Sequence, residues 1–139
     1  MLGRKGLLLA FALSSTTLVA TGAANAANAN FQGDCTGGSG APTSCEFSPN
    51  KAPAGEPFTG CNGAGISYYY WTFGDGNYYL TYPSVDFGRA YHTYAAGPLS
   101  VTVQLQVGCN NGVIVSNSHC LNSTPTTGCI IVNGGWSPY

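Results

Sequence analysis

Residues 99–107 read Leu-Ser-Val-Thr-Val-Gln-Leu-Gln-Val, with an aliphatic side chain at every odd position and a polar one at every even position. A period of two fits an extended strand with one buried and one wet face; a helix would scatter these aliphatics around its circumference. Other segments are shorter and less regular. Residues 46–49 read as a first edge strand, where proline is tolerated. A weak second strand follows at 56–61, a strong one at 66–73 and its return at 78–82. Residues 85–91, 113–115 and 130–132 complete the set, with turn signals at Pro53-Ala54-Gly55, Pro83 and Asn110-Asn111-Gly112. The expected fold class is all-β, an antiparallel β-sandwich.

The first 26 residues are of another kind. Arg4 and Lys5 precede an apolar run at 7–13, and Ala24-Asn25-Ala26 satisfies the small-x-small cleavage rule. Residues 1–26 are therefore expected to be an export signal peptide; Ala27-Asn28-Ala29 offers a second cleavage site of the same type. The run is too short to span a bilayer and is broken by Ser14-Ser15-Thr16-Thr17, so no membrane insertion is expected. The expected location is secreted, extracellular. Residues 27–44, rich in Asn, Gly and Ser, read as a loose arm pinned near its end by a disulfide, 45–133 as the sandwich and 134–139 as a tail.

After cleavage only Lys51 and Arg89 are basic, against Asp34, Glu46, Glu56, Asp75 and Asp86. Binding to a phosphate backbone needs several cations, which excludes nucleic acid as a partner. Six cysteines, Cys35, Cys45, Cys61, Cys109, Cys120 and Cys129, form an even set in a small exported chain, which argues for disulfides. Zinc would need close C-x₂-C pairs, and the sequence has none, so neither a metal nor another cofactor is expected. Of the fifteen possible pairings, the preferred set is Cys35–Cys45, Cys109–Cys120 and Cys61–Cys129.

The aromatic stretch Tyr68-Tyr69-Tyr70-Trp71-Thr72-Phe73-Gly74-Asp75-Gly76 runs into a turn. Alternation puts Tyr69, Trp71 and Phe73 on one face, and Tyr68, Tyr70 and Thr72 on the other. Asp75-Gly76 is the dipeptide that a two-residue type I′ turn favours. The resulting register sets Phe73 against Tyr78, Trp71 against Leu80 and Tyr69 against Tyr82. On the other face it sets Tyr70 against Thr81 and Thr72 against Tyr79. Tyr69, Trp71, Tyr78, Tyr82 and Tyr94 would then fill the core. Tyr68, Tyr70 and Tyr79 would form an exposed row.

Trp71-Thr72-Phe73-Gly74-Asp75-Gly76, followed by His92-Thr93-Tyr94, Gly97 and the alternating Val101-Thr102-Val103-Gln104-Leu105, resembles the PKD (polycystic kidney disease) domain. That family's pattern is W-D-F-G-D-G, then H-x-Y, then G-x-Y-x-V-x-L. Tyr69 and Gly55-Glu56-Pro57-Phe58 also stand where family members carry similar residues. The resemblance covers about residues 47–107. Thr72 replaces the first aspartate and Leu99 a tyrosine, the 94–97 piece is a residue short, and the 77–91 connection is long. The six cysteines are not typical either. The resemblance implies an immunoglobulin-like sandwich of about seven strands, used as a spacer, adhesion element or binding module. It also implies structural roles for Trp71, Phe73, Gly74, Asp75, Gly76, His92 and Tyr94, with Tyr94 anchoring a strand corner through its hydroxyl.

Catalytic motifs are missing: neither G-x-S-x-G nor H-E-x-x-H occurs, and no pattern makes two carboxylates converge. No enzyme is expected. Asp75 is expected to bond its own turn, since a calcium cage would need six to eight oxygens. His119 beside Cys120 reads as a loop residue rather than a base, and Asn122-Ser123-Thr124 is a glycosylation sequon. The expected function is a secreted, non-catalytic module that contacts an extracellular polymer or cell-surface polysaccharide through Tyr68, Tyr70 and Tyr79. Against this stands a cover of those tyrosines by a loop. The alternative function is a structural or protein-interaction subunit.

Overall fold

A computed structural model describes residues 27–38, 40–52 and 55–134 of the protein. Eight strands follow in order: β1 (Gln32–Gly38), β2 (Ala41–Ser48), β3 (Ile66–Thr72), β4 (Tyr78–Thr81), β5 (Ala90–Tyr94), β6 (Ser100–Cys109), β7 (Ile114–Asn122) and β8 (Cys129–Ile131). They form a three-stranded sheet, β1-β2-β5, and a five-stranded sheet, β4-β3-β6-β7-β8. Every pairing is antiparallel except β7 with β8. The strands divide between the sheets as in an immunoglobulin-like sandwich. No helix among the described residues is long and apolar enough to cross a membrane.

The core lies between the sheets and follows from the alternation. Val103, Leu105 and Val107 of β6 are fully buried, as their odd positions require. Tyr69 and Trp71 of β3 face the same space, opposite Phe47 of β2. Trp71 sits at the centre: its ring centroid is 4.9 Å from Phe31 and 5.9 Å from Phe47. Its indole Nε1 donates to the Gly88 carbonyl at 3.0 Å, so the one polar atom of the side chain is satisfied inside.

Several expectations fail, each for a tertiary reason. Residues 27–44 are no loose arm: the expected Cys35–Cys45 bridge is there, but Ala29, Asn30 and Phe31 are fully buried and β1 pairs with β2. Backbone pairing needs no hydrophobic period, so a Gly-rich strand leaves no pattern to read. β2 is the middle strand of its sheet rather than an edge, and Pro49 stands just beyond it in a short 3-10 turn. Residues 56–61 form no strand, and 85–89 make a turn in which Phe87 has φ +49°. β7 is far longer than the expected 113–115, because all of its backbone finds partners along β6. The expected leader, 1–26, and residues 135–139 of the tail lie outside the described residues.

All six cysteines are bridged, as Cys35–Cys45, Cys61–Cys109 and Cys120–Cys129. The expected Cys109–Cys120 and Cys61–Cys129 pairs are therefore wrong. Cys120 lies opposite Thr102, seven residues back along β6 from Cys109. That distance is roughly 23 Å at the rise of a strand, far beyond disulfide reach. Cys129 instead lies directly beside Cys120 on β8.

Candidate binding face

The turn between β3 and β4 decides which side chains share the outer face of the large sheet. Phe73 N–H donates to the Asn77 carbonyl at 3.1 Å, which closes a three-residue loop of Gly74, Asp75 and Gly76. Gly74 and Gly76 have φ +80° and +90°, so positive φ falls at the first and third loop positions, not at the Asp75-Gly76 pair. A Cβ on Gly74 would also come within 2.6 Å of the Thr102 carbonyl. Asp75 is thereby left free to act through its carboxylate. Oδ1 accepts from Asn77 N–H at 3.0 Å, and Oδ2 stands 2.7 Å from His92 Nε2.

One residue of difference in loop length moves every side chain of β4 to the opposite face. The observed partners are Tyr69 with Thr81, Tyr70 with Leu80, Trp71 with Tyr79 and Thr72 with Tyr78. Tyr79 is therefore on Trp71's side, at the rim, where its hydroxyl donates to Asp86 at 3.2 Å. It does not join Tyr68 and Tyr70. Tyr78 and Tyr82, expected in the core, are 68% and 50% exposed.

The outer face is consequently richer than expected. Tyr68 and Tyr70 come from β3, Tyr78 and Leu80 from β4, and Tyr82 follows directly after β4. Gln106 lies opposite Tyr70 on β6, and Tyr68 rests over Gly108, where a Cβ would collide with its ring. Tyr68, Tyr70, Leu80, Tyr82 and Gln106 line a shallow depression of about 350 Å³. Tyr78 extends it, with its ring centroid 5.7 Å from that of Tyr70. Thr72, Gln104, Ser116 and Ser118 continue the same face. None of these side chains is charged. The sequence signal for Tyr78, Leu80 and Tyr82 was the second glycine: Gly74-Asp75-Gly76 suits a three-residue loop as well as Asp75-Gly76 suits a shorter one.

The motif residues take structural positions. His92 stacks flat on Phe73 at 4.1 Å and meets Tyr94 edge-on at 4.5 Å. Burial alone would push the Asp75 carboxyl up; hydrogen bonds from His92 and Asn77 outweigh it and hold the group below the usual carboxylate range. Tyr94 donates to the Phe73 carbonyl; burial, and then the nearby Asp75 carboxylate, pushes its phenol well above the ordinary range. The hydroxyl thus ties β5 to the end of β3, bridging the sheets.

Two other places hold polar groups. A larger depression of about 430 Å³ lies on the small sheet, lined by Asp34, Thr36, Ser44, Glu46, Tyr91 and Thr93 among others. Lys51 reaches Asp34 at 3.2 Å and Glu46 at 3.5 Å, and Arg89 stands 4.0 Å from Glu46, so its carboxylates already have cations. His119 is no loop residue: it points inward from β7, with Nε2 2.7 Å from the side-chain oxygen of Asn30. Burial holds its imidazole below the ordinary range, against a weaker pull from Glu56. The sequon residue Asn122 donates to Thr126 Oγ1 at 3.1 Å. No group of three His, Cys, Asp or Glu side chains among the described residues could hold a metal ion.

No family model matches the chain and no curated protein matches it, so what is read from this face is read from its own residues.

Proposed function

We propose that the protein is an exported, non-catalytic, PKD-like binding module that holds an uncharged extracellular polysaccharide on the outer face of its large sheet. The observation that carries this reading is the aromatic depression of Tyr68, Tyr70, Leu80 and Tyr82, extended by Tyr78, with Gln106 as its polar contact. Pyranose rings present flat C–H faces that stack on tyrosine, while their hydroxyls suit phenol and amide partners. Each stacked ring contributes about 0.5–1.5 kcal/mol, so several together are needed for useful retention. The neutrality of the face disfavours uronic or sulfated polymers, which would need cations. The three disulfides support an oxidising, extracellular setting.

Retention on insoluble chitin, cellulose and peptidoglycan tests the reading directly. Tyr70→Ala, Tyr78→Ala and Tyr82→Ala should each reduce retention on the polymer that is bound, with little change in melting temperature. A triple variant retained like the parent, or a parent that binds none of the three, would sink it.

One observation favours the second reading, a protein-interaction subunit. Among the described residues β4 has a partner on only one side, so its edge, next to the aromatic face, could accept a strand from another protein. A size-exclusion profile with a stable dimer or complex would favour that reading.

A further inference from the structure

The residues just before β1 are built into the centre of the molecule. Ala29, Asn30 and Phe31 have no solvent exposure at all. Phe31 meets Trp71, His119 and Phe47 edge-on, at 4.9, 4.6 and 6.4 Å between ring centroids. The Asn30 side-chain oxygen accepts from Phe31 N–H at 2.9 Å and stands 2.7 Å from His119 Nε2. Its amide donates to the Glu56 carbonyl at 2.6 Å. One residue earlier in the anchoring, the Asn28 carbonyl accepts from Thr59 N–H at 3.2 Å and Gly60 N–H at 2.9 Å. Ala27 is exposed. The boundary between surface and core therefore falls between Ala27 and Ala29.

The sequence has two small-x-small sites on either side of that boundary, ending at Ala26 and at Ala29. We infer that an export peptidase hydrolyses the Ala26–Ala27 bond, and that Ala27-Asn28-Ala29 stays in the mature chain as part of the fold. The C–N bond breaks as water adds its hydroxyl to the Ala26 carbonyl carbon and its hydrogen to the Ala27 nitrogen; the proton released by the new Ala26 carboxyl then makes that amine an exposed α-ammonium. Hydrolysis after Ala29 would put that ammonium on Asn30, inside the core. It would also remove Ala29 from a filled site and delete both Asn28 carbonyl bonds. Burial disfavours a charge on His119, from β7, and the one carboxylate felt there, that of Glu56 from the loop before β3, belongs to an exposed residue and pulls only weakly. An unpaired buried cation is among the costliest things a small core can hold.

The inference rests on the export reading above, and the two fail separately. Intact-mass spectrometry of the protein recovered outside cells should give a chain that begins at Ala27. A start at Asn30 overturns the site but leaves export standing; a chain that keeps its leader overturns both. A second measurement uses oxidised chains prepared to begin at Ala27 and at Asn30. The shorter chain should melt lower or fail to fold. If it folds, it should recover part of the loss as pH rises past the ordinary α-amine range near about 8, where the ammonium is discharged. Equal melting of the two chains at neutral pH would overturn the physical basis of the inference.

Discussion

Tyr94 donates its phenolic hydrogen to the backbone carbonyl of Phe73 at 2.9 Å, joining a strand of the small sheet to the turn of the large one. Tyr94→Phe keeps the ring and leaves that carbonyl without its partner in a buried setting. The expected cost is about 1–3 kcal/mol, the desolvation penalty of an unmet buried acceptor. Urea unfolding would show it as a lower midpoint at unchanged slope; an unchanged midpoint would mean that water replaces the hydroxyl.

Trp71→Ala removes the side chain on which Phe31 and Phe47 converge. A loss of about 3–5 kcal/mol is expected for so large a deletion in a packed core. Calorimetry that finds the variant melting within a degree or two of the parent would refute the central placement of Trp71.

Gly108 has no side chain, and the Tyr68 ring occupies the space where one would be. Gly108→Ala should swing Tyr68 away and weaken polymer retention, although residue 108 itself contacts nothing bound. Tyr79→Ala is the matched control, because Tyr79 lies on Trp71's side of the sheet. If Tyr79→Ala reduces retention as much as Tyr70→Ala does, the face that binds has been misassigned.

Among the disulfides, Cys61–Cys109 spans 48 residues and Cys120–Cys129 only 9. On the chain-entropy account, removing the first should cost about 4 kcal/mol and the second about 2.5. Paired Cys→Ala variants, compared by thermal melting, check the order. Free-thiol titration of the denatured parent should find none.

Stability should fall on the acid side in two steps. His119 is harder to protonate in the folded chain than in the unfolded one, so the unfolded state takes up more protons as pH drops below about 6.5. Asp75 has a folded value below its unfolded one, so its contribution is present above about 4 and is lost as pH falls through the lowered folded value. His119→Gln should abolish the upper step and leave the lower one. A variant that keeps both steps would show that another group titrates.

Sequence alone determined the strands with a strict period, because one buried face writes itself into alternate positions. Residues 99–107 appear as β6 almost residue for residue, and Trp71 takes the inward position that parity requires. An even cysteine count in a small chain likewise foretold full pairing. What period two cannot carry is how strands meet. The loop around Asp75 is one residue longer than its dipeptide suggested, closed by Phe73 N–H on the Asn77 carbonyl with Gly74 and Gly76 at positive φ; the extra residue moved Tyr79 inward and Tyr78 and Tyr82 out. Cysteine partners depend on which strands lie side by side, a long-range fact that proximity in sequence misread for Cys109 and Cys120. The N-terminal strand was invisible for a different reason: its order comes from backbone pairing with β2, the Cys35–Cys45 bridge and a buried Asn30–His119 contact, none of which needs a hydrophobic period. Local pattern decided which segments extend; tertiary pairing decided which tyrosines face the solvent.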